Sequence, residues 1–343
     1  MRKLILWTVE HPTLTASLCL LTVFLLLNLL AFRHAWTMTH FATAGRRAQR
    51  MENWRDRGGP LSLFEKVHLA VNGVALERPA EAARPDALDL PYEVHVYGGE
   101  GGRLAAWHIP HEHAAGLVVL FHGYASGKAR LLPEARAFHD LGYACFLVDF
   151  RGSGGSDGDR TSVGYHEADD VVRTVAYVRQ RWPNESLILF GQSMGAAAVL
   201  RALSRHALEP DAVVLECPFD RLLSTVEARF ASTGLPRFPA AQLLVFWGGL
   251  QHGYNGFEHN PVEYARRVTC PVLLLHGRGD PRVSCGQIES IYRNLAGKKQ
   301  LHFFDGAGHE SYAARWLEEW KGCVAHFLRL YPKFFFCEKS SHP

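Results

Sequence analysis

Residues 187–198 read Leu-Ile-Leu-Phe-Gly-Gln-Ser-Met-Gly-Ala-Ala-Ala, and few strings of this length restrict a fold more. A short aliphatic run of this kind reads as a buried strand, and the small residues after it open a helix. Between them Gly191 and Gly195 flank Ser193. The strand must pass to the helix through a turn so tight that a side chain at either glycine would collide with the neighbouring elements. Such a turn pushes its central residue, Ser193, out above the end of a sheet. A chain built around it needs a largely parallel sheet, helices on both faces, and a site at the carboxyl ends of the strands.

The surrounding pattern agrees. Residues 93–97 and 103–109 flank a Gly-Gly-Glu-Gly-Gly turn, which predicts a β-hairpin. Short apolar runs then follow at 117–121, 144–148, 187–190, 212–215, 272–275 and 301–304, and helical periodicity fills 129–141, 166–181, 196–206, 287–295 and 313–330. The prediction is a doubly wound, mostly parallel sheet with an antiparallel start. Residues 220–260 break the alternation: they exceed a crossover, are rich in apolar groups such as Leu243–Trp247, and contain Pro236 and Pro239. They read as a small helical cap over the site, whose apolar face would line an acyl pocket, touch a membrane or simply pack on the main domain.

The N-terminus is of another kind. Between Glu10 and Arg33 there is no Asp, Glu, Lys or Arg. As a helix this stretch spans roughly 30 Å, enough for the hydrocarbon core of a bilayer. Trp7 and Trp36 stand at its two ends and Arg2 and Lys3 precede it, as in a single-pass signal anchor. The nearest small-x-small site, Ala42-Thr43-Ala44, lies well past the apolar run, which argues against a cleaved peptide. Arg33, Arg46, Arg47 and Arg50 oppose the N-terminal charges, so the sequence leaves the side of the membrane open. With Arg55 and Arg57 they form a basic stretch suited to anionic headgroups or simply to water. The expected organisation is an anchor at 1–36, a juxtamembrane connector at 37–91 with an amphipathic helix near 61–71, a catalytic domain at 92–332 with the cap at about 220–260, and a tail at 333–343.

Composition excludes several classes. With 48% hydrophobic and 21% charged residues the chain is globular, and a net charge of +3 is too small for a nucleic-acid binder. Seven scattered cysteines make neither a disulfide framework nor a metal knuckle. Residues 123–128, Gly-Tyr-Ala-Ser-Gly-Lys, are one residue short of a phosphate-binding loop, and Ala129 stands where a magnesium-binding hydroxyl would be. Residues 152–157 lack the third glycine of a dinucleotide fingerprint. His108, His111 and His113 read as one loop without a second ligand group, so neither metal nor cofactor is expected.

A serine hydroxyl needs a base to take its proton and a third group to hold that base. In this kind of sheet the chain order is serine, acid, histidine. Asp280 ends the turn His276-Gly277-Arg278-Gly279-Asp280 after a strand and is the favoured acid, with Glu216 and Asp220 after the preceding strand as alternatives. Of the four later histidines, His302 lies in a strand, His326 in the last helix and His342 in the tail. His309, in Gly306-Ala307-Gly308-His309-Glu310, remains as the base. Two backbone amides would hold the oxyanion: Met194, next to the nucleophile, and Tyr124, in the His122-Gly123-Tyr124 loop that the His122 imidazole braces.

These segments, with Phe121-His122-Gly123, Asp149-Phe150-Arg151-Gly152-Ser153-Gly154 and Asn260-Pro261, resemble the α/β-hydrolase superfamily over residues 92–331, in its monoacylglycerol-lipase-like and serine-aminopeptidase-like branch. The resemblance implies that 149–154 is a structural turn behind the site. It also implies hydrolysis of an ester, thioester or amide. Together with the anchor and the apolar cap it makes a lipid or acyl ester the expected substrate, with a thioesterase, an aminopeptidase-type amide hydrolase, or an inactive membrane-tethered interaction protein as rivals. The oligomeric state is not legible.

Overall fold

The computed structural model describes residues 11–42, 83–99 and 101–331, with scattered positions between 62 and 81. Residues 1–10, most of the helix expected over 61–71, and the tail lie outside the described residues.

Among these residues eight strands form one sheet. In chain order they are β1 (Glu93–Gly99), β2 (Gly102–Ile109), β3 (Leu117–Phe121), β4 (Ala144–Val148), β5 (Leu187–Gln192), β6 (Ala212–Glu216), β7 (Val272–Gly277) and β8 (Lys299–Phe304). Across the sheet they run β1-β2-β4-β3-β5-β6-β7-β8. β1 pairs antiparallel with β2 and β2 antiparallel with β4, and every later pairing is parallel. The expected parallel sheet with an antiparallel start is what forms. Its central strands are buried on both faces, which is why they read as continuous apolar runs rather than alternating ones.

Each face carries its own core. Val119, Phe121 and Leu189 point to the layer of α3 (Glu167–Arg181), α4 (Met194–Arg205) and α7 (Cys285–Asn294). Val118, Leu120 and Phe190 point to α2 (Leu132–Asp140) and α8 (Leu317–Leu330), where Phe138 and Trp320 meet edge to face. The cap segment folds as two helices, α5 (Leu222–Thr233) and α6 (Ala240–Gln251), separated by the stretch that holds Pro236 and Pro239.

The N-terminal helix α1 (Pro12–Thr39) is long and apolar enough to cross a membrane. Its first half is exposed, and its second half lies along α6. Beyond it, Phe41 is buried and its amide donates to the Asp159 carbonyl, while Arg78 donates to the carbonyls of Gly154, Ser156 and Gly158. Around Phe41 and Arg78 the 37–91 segment is therefore packed on the main domain.

Candidate active site

Ser193 follows β5 and precedes α4 with φ 52° and ψ −110°, a conformation that side chains rarely adopt. Close packing holds it there. A Cβ on Gly191 would come within 2.7 Å of the Ala196 amide nitrogen, and one on Gly195 within 2.3 Å of the Phe121 carbonyl oxygen. Only hydrogen fits at either place, which is the steric reason for both glycines. The Ser193 amide is committed to the Glu216 carbonyl at 2.8 Å.

Three residues far apart in the chain meet above this turn. Ser193 Oγ lies 3.0 Å from His309 Nε2, and His309 Nδ1 lies 2.6 Å from Asp280 Oδ2. With the Nδ1 proton donated to the carboxylate, Nε2 is left as the acceptor for the serine hydroxyl. Asp280 Oδ1 takes the amides of Arg282 at 2.7 Å and Val283 at 3.0 Å. Burial by itself would raise the Asp280 carboxyl, but the hydrogen bond and charge of His309, with those two amides, outweigh it and hold it below its ordinary value. A carboxylate that stays ionised is what a neighbouring imidazolium needs.

The alternative acids are turned elsewhere. Glu216 accepts from Trp320 Nε1 at 2.7 Å and from Gln192 Nε2 at 3.1 Å. Burial, reinforced by the nearby Glu134 carboxyl, pushes its pKa well up. Asp220 pairs with Arg221 at 3.1 Å.

The loop after β3 lies against the nucleophile: a Cβ on Gly123 would sit 3.6 Å from Ser193 Cβ. His122 is fully buried, accepts from the Phe150 amide at 3.1 Å through Nε2, and donates through Nδ1 to the Gly123 carbonyl at 2.8 Å. Its part here is to brace the loop. Tyr124 follows, with its hydroxyl donating to the Met38 carbonyl at the end of α1. Met194 is the first residue of α4, where an amide has no acceptor within the helix. Its thioether is buried and accepts from the Thr161 hydroxyl.

Three neighbours of the site were not foreseen. The Tyr312 hydroxyl takes the Gly277 amide at 2.8 Å and donates to the Gly308 carbonyl at 3.3 Å, so it ties the Asp280 loop to the His309 loop. Cys217, at φ 40°, places its sulfur 4.0 Å from His309 Nε2. Burial, with the charges of Asp280 and Glu216, pushes that thiol up and keeps it protonated. Glu134 accepts from Ser311, two residues beyond His309. Nothing local in the sequence singles these out.

The histidines read as one loop are not one group. His108 belongs to β2 and is buried, because β2 is an inner strand, paired with β1 on one side and β4 on the other, and is buried from Leu104 to Ile109. Its partners are Glu93, opposite it in the register, and His95, whose Nδ1 bonds the Tyr177 hydroxyl at 2.8 Å. His111 lies instead beside His139, with ring centroids 4.9 Å apart. The expectation of one loop without a further ligand-type group therefore fails for His108. Glu93, His95 and His108 form a polar cluster at the hairpin edge of the sheet, away from Ser193.

Comparison with known proteins follows the same lines. The family model for serine aminopeptidases, S33, matches residues 112–244. The uncharacterized protein YqkD of Bacillus subtilis is 25% identical over 234 residues, covering 66% of this chain and 76% of that one. Lysophosphatidylserine lipase ABHD12 of Danio rerio is 26% identical over 205 residues, 58% of this chain and 52% of that protein. Among solved structures, the Pyrococcus furiosus esterase Pf2001 superposes with a TM-score of 0.63 at 24% identity, covering 75% of this chain and 97% of that one. A sheet of this strand order, entered by an antiparallel hairpin, has the α/β-hydrolase fold, and across residues 112–244 the chain is similar to the serine aminopeptidases, S33.

Proposed function

We propose that the chain is a serine hydrolase that cleaves a carboxylic ester of a lipid-derived acyl group through an acyl-enzyme, and that α1 anchors it to a membrane. The observation that carries the reading is the line of three groups from Ser193 Oγ through the His309 ring to Asp280 Oδ2, with contacts of 3.0 and 2.6 Å.

In this mechanism His309 Nε2 takes the hydroxyl proton as Ser193 Oγ attacks the ester carbonyl carbon. The tetrahedral oxyanion accepts from the Met194 and Tyr124 amides, each worth roughly 3 kcal/mol in the transition state. His309 then gives its proton to the leaving alkoxide, and the acyl group remains on Ser193. A water, deprotonated by the same ring, attacks the acyl-enzyme, and the ring then returns that proton to Ser193 Oγ as the carboxylic acid leaves. Asp280 keeps Nδ1 protonated and balances the imidazolium in both halves.

The choice of a lipid acyl ester is supported by the apolar cap, the N-terminal helix, and a lipase named for lysophosphatidylserine among the relatives. A fluorophosphonate probe tests the nucleophile: it should label the wild-type protein and leave Ser193→Ala unlabelled. Folded wild-type protein that stays unlabelled would reduce the chain to a tethered interaction domain. A series of p-nitrophenyl esters tests the substrate, and kcat/KM should rise with acyl length. Turnover confined to acetyl esters or aminoacyl amides would remove the lipid.

A further inference from the structure

The cap helix α6 (Ala240–Gln251) contains no charged residue and runs along the second half of α1. Its depth follows from α1. The uncharged stretch of that helix is bracketed by Glu10 and Arg33, so a bilayer spanned by it must end near Arg33, which is exposed. Asn28 is five residues earlier and so lies about 7 Å inside the hydrocarbon boundary. An amide side chain at that level is costly unless it finds partners. Asn28 finds one within α1, the Phe24 carbonyl at 2.9 Å, and one on the cap: its Oδ1 accepts from Trp247 Nε1 at 3.1 Å. The Trp247 ring meets Phe32 edge-on at 5.3 Å, and Gln251 donates to the Phe32 carbonyl at 2.8 Å. These contacts carry α6 to the depth of Asn28 and Phe32.

The outer side of the cap is apolar as well. Phe246 is 48% exposed, Leu250 58% and Phe238, just before α6, 76%, with the exposed Arg237 beside it. Aromatic and aliphatic side chains left bare beside a membrane-length helix suit the acyl-chain boundary, where interfacial helices bury their apolar side by about 5–10 Å.

We propose that α6 is sunk in the same leaflet as the second half of α1, so that the cap is an interfacial element and the site draws its acyl ester sideways from that leaflet. This rests on α1 as the anchor and Ser193 as the nucleophile. The link to the chemistry is short: the last turn of α1 accepts from the Tyr124 hydroxyl, in the loop whose amide is assigned to the oxyanion, and Arg229 of α5 lies over the same ring at 5.5 Å.

The full chain in phosphatidylcholine nanodiscs tests the platform without any need for catalysis. A benzophenone amino acid in place of Phe246 or Leu250 should form phospholipid adducts on irradiation, as it should in place of Leu25 in the anchor, and should form none in place of the exposed Glu318. Lipid adducts at Leu25 with none at Phe246 or Leu250 would overturn the proposal, as would adducts there to a second copy of the chain. Sideways access is tested by the Phe246→Glu/Leu250→Glu double variant. Its turnover of a monoacyl ester embedded in vesicles, relative to soluble p-nitrophenyl butyrate, should fall at least about tenfold. An unchanged ratio overturns that access. Wild-type protein silent on both esters defeats the hydrolase reading and leaves the adduct test to decide the platform.

Discussion

Ser193, His309 and Asp280 each owe their place to a different local device: a strained turn between two close-packed glycines, a glycine-flanked loop, and two amides that grip one carboxylate oxygen. The roles proposed for them separate by substitution. Asp280→Asn is expected to lower kcat about ten-thousandfold, because the amide favours the wrong imidazole tautomer and cannot balance the imidazolium. Glu216→Gln is expected to stay within about tenfold of wild type, since Glu216 is engaged by Trp320 and Gln192 while His309 is held by Asp280. Steady-state kinetics on one ester compare the two, and a silent Asp280→Asn with a crippled Glu216→Gln would reverse the assignment. Gly195→Ala should fail earlier, at folding: its methyl would meet the Phe121 carbonyl at 2.3 Å, and soluble, probe-labelled protein should be lost.

Between elements, stability rests on a few buried charges. Lys128 is buried over the Trp107 ring, 4.4 Å from its centroid, and its ammonium is shared by Asp149 and Glu81. Asp149 also takes the amides of Lys128 and Gly155, which closes the turn behind the site. Lys128→Met strips the cation from a buried carboxylate and should cost about 3–5 kcal/mol, read as a fall in the urea midpoint. A second buried group links α2 to the His309 loop. Burial pushes the Glu134 carboxyl up to about 7, against the Ser311 hydrogen bond that draws it down. The folded chain then keeps that proton while the unfolded chain releases it near the ordinary carboxylate value, so the native state binds more protons in between. Stability contributed by the group must fall as pH rises from about 4.5 to about 7 and level off above. In Glu134→Gln this part of the slope should vanish, so calorimetry at pH 5 and pH 8 should show a smaller drop in Tm than in wild type.

For the whole molecule, the alternation of strands and helices, the antiparallel start and the helical cap were legible in the sequence because each depends on patterns a few residues long, whereas the order of the strands across the sheet came only with the structure. Continuous apolar runs mark strands buried on both faces, glycines mark turns where no Cβ fits, and proline separates the cap helices. The same reasoning misplaced His108, since spacing alone grouped it with His111 and His113 while pleat and register carried it into β2 beside Glu93 and His95. The Tyr312 bridge, the Cys217 thiol beside His309 and the Glu134 carboxyl escaped notice, because each is an ordinary core residue until two distant loops are brought against it. By itself, then, the sequence determined the elements, their alternation and the candidate residues, all of which follow from local sterics and periodicity. Tertiary structure alone decided which groups touch, from Ser193 and His309, 116 residues apart, to Asn28 and Trp247, 219 apart, because such contacts exist only once the packing of whole elements has set their distance.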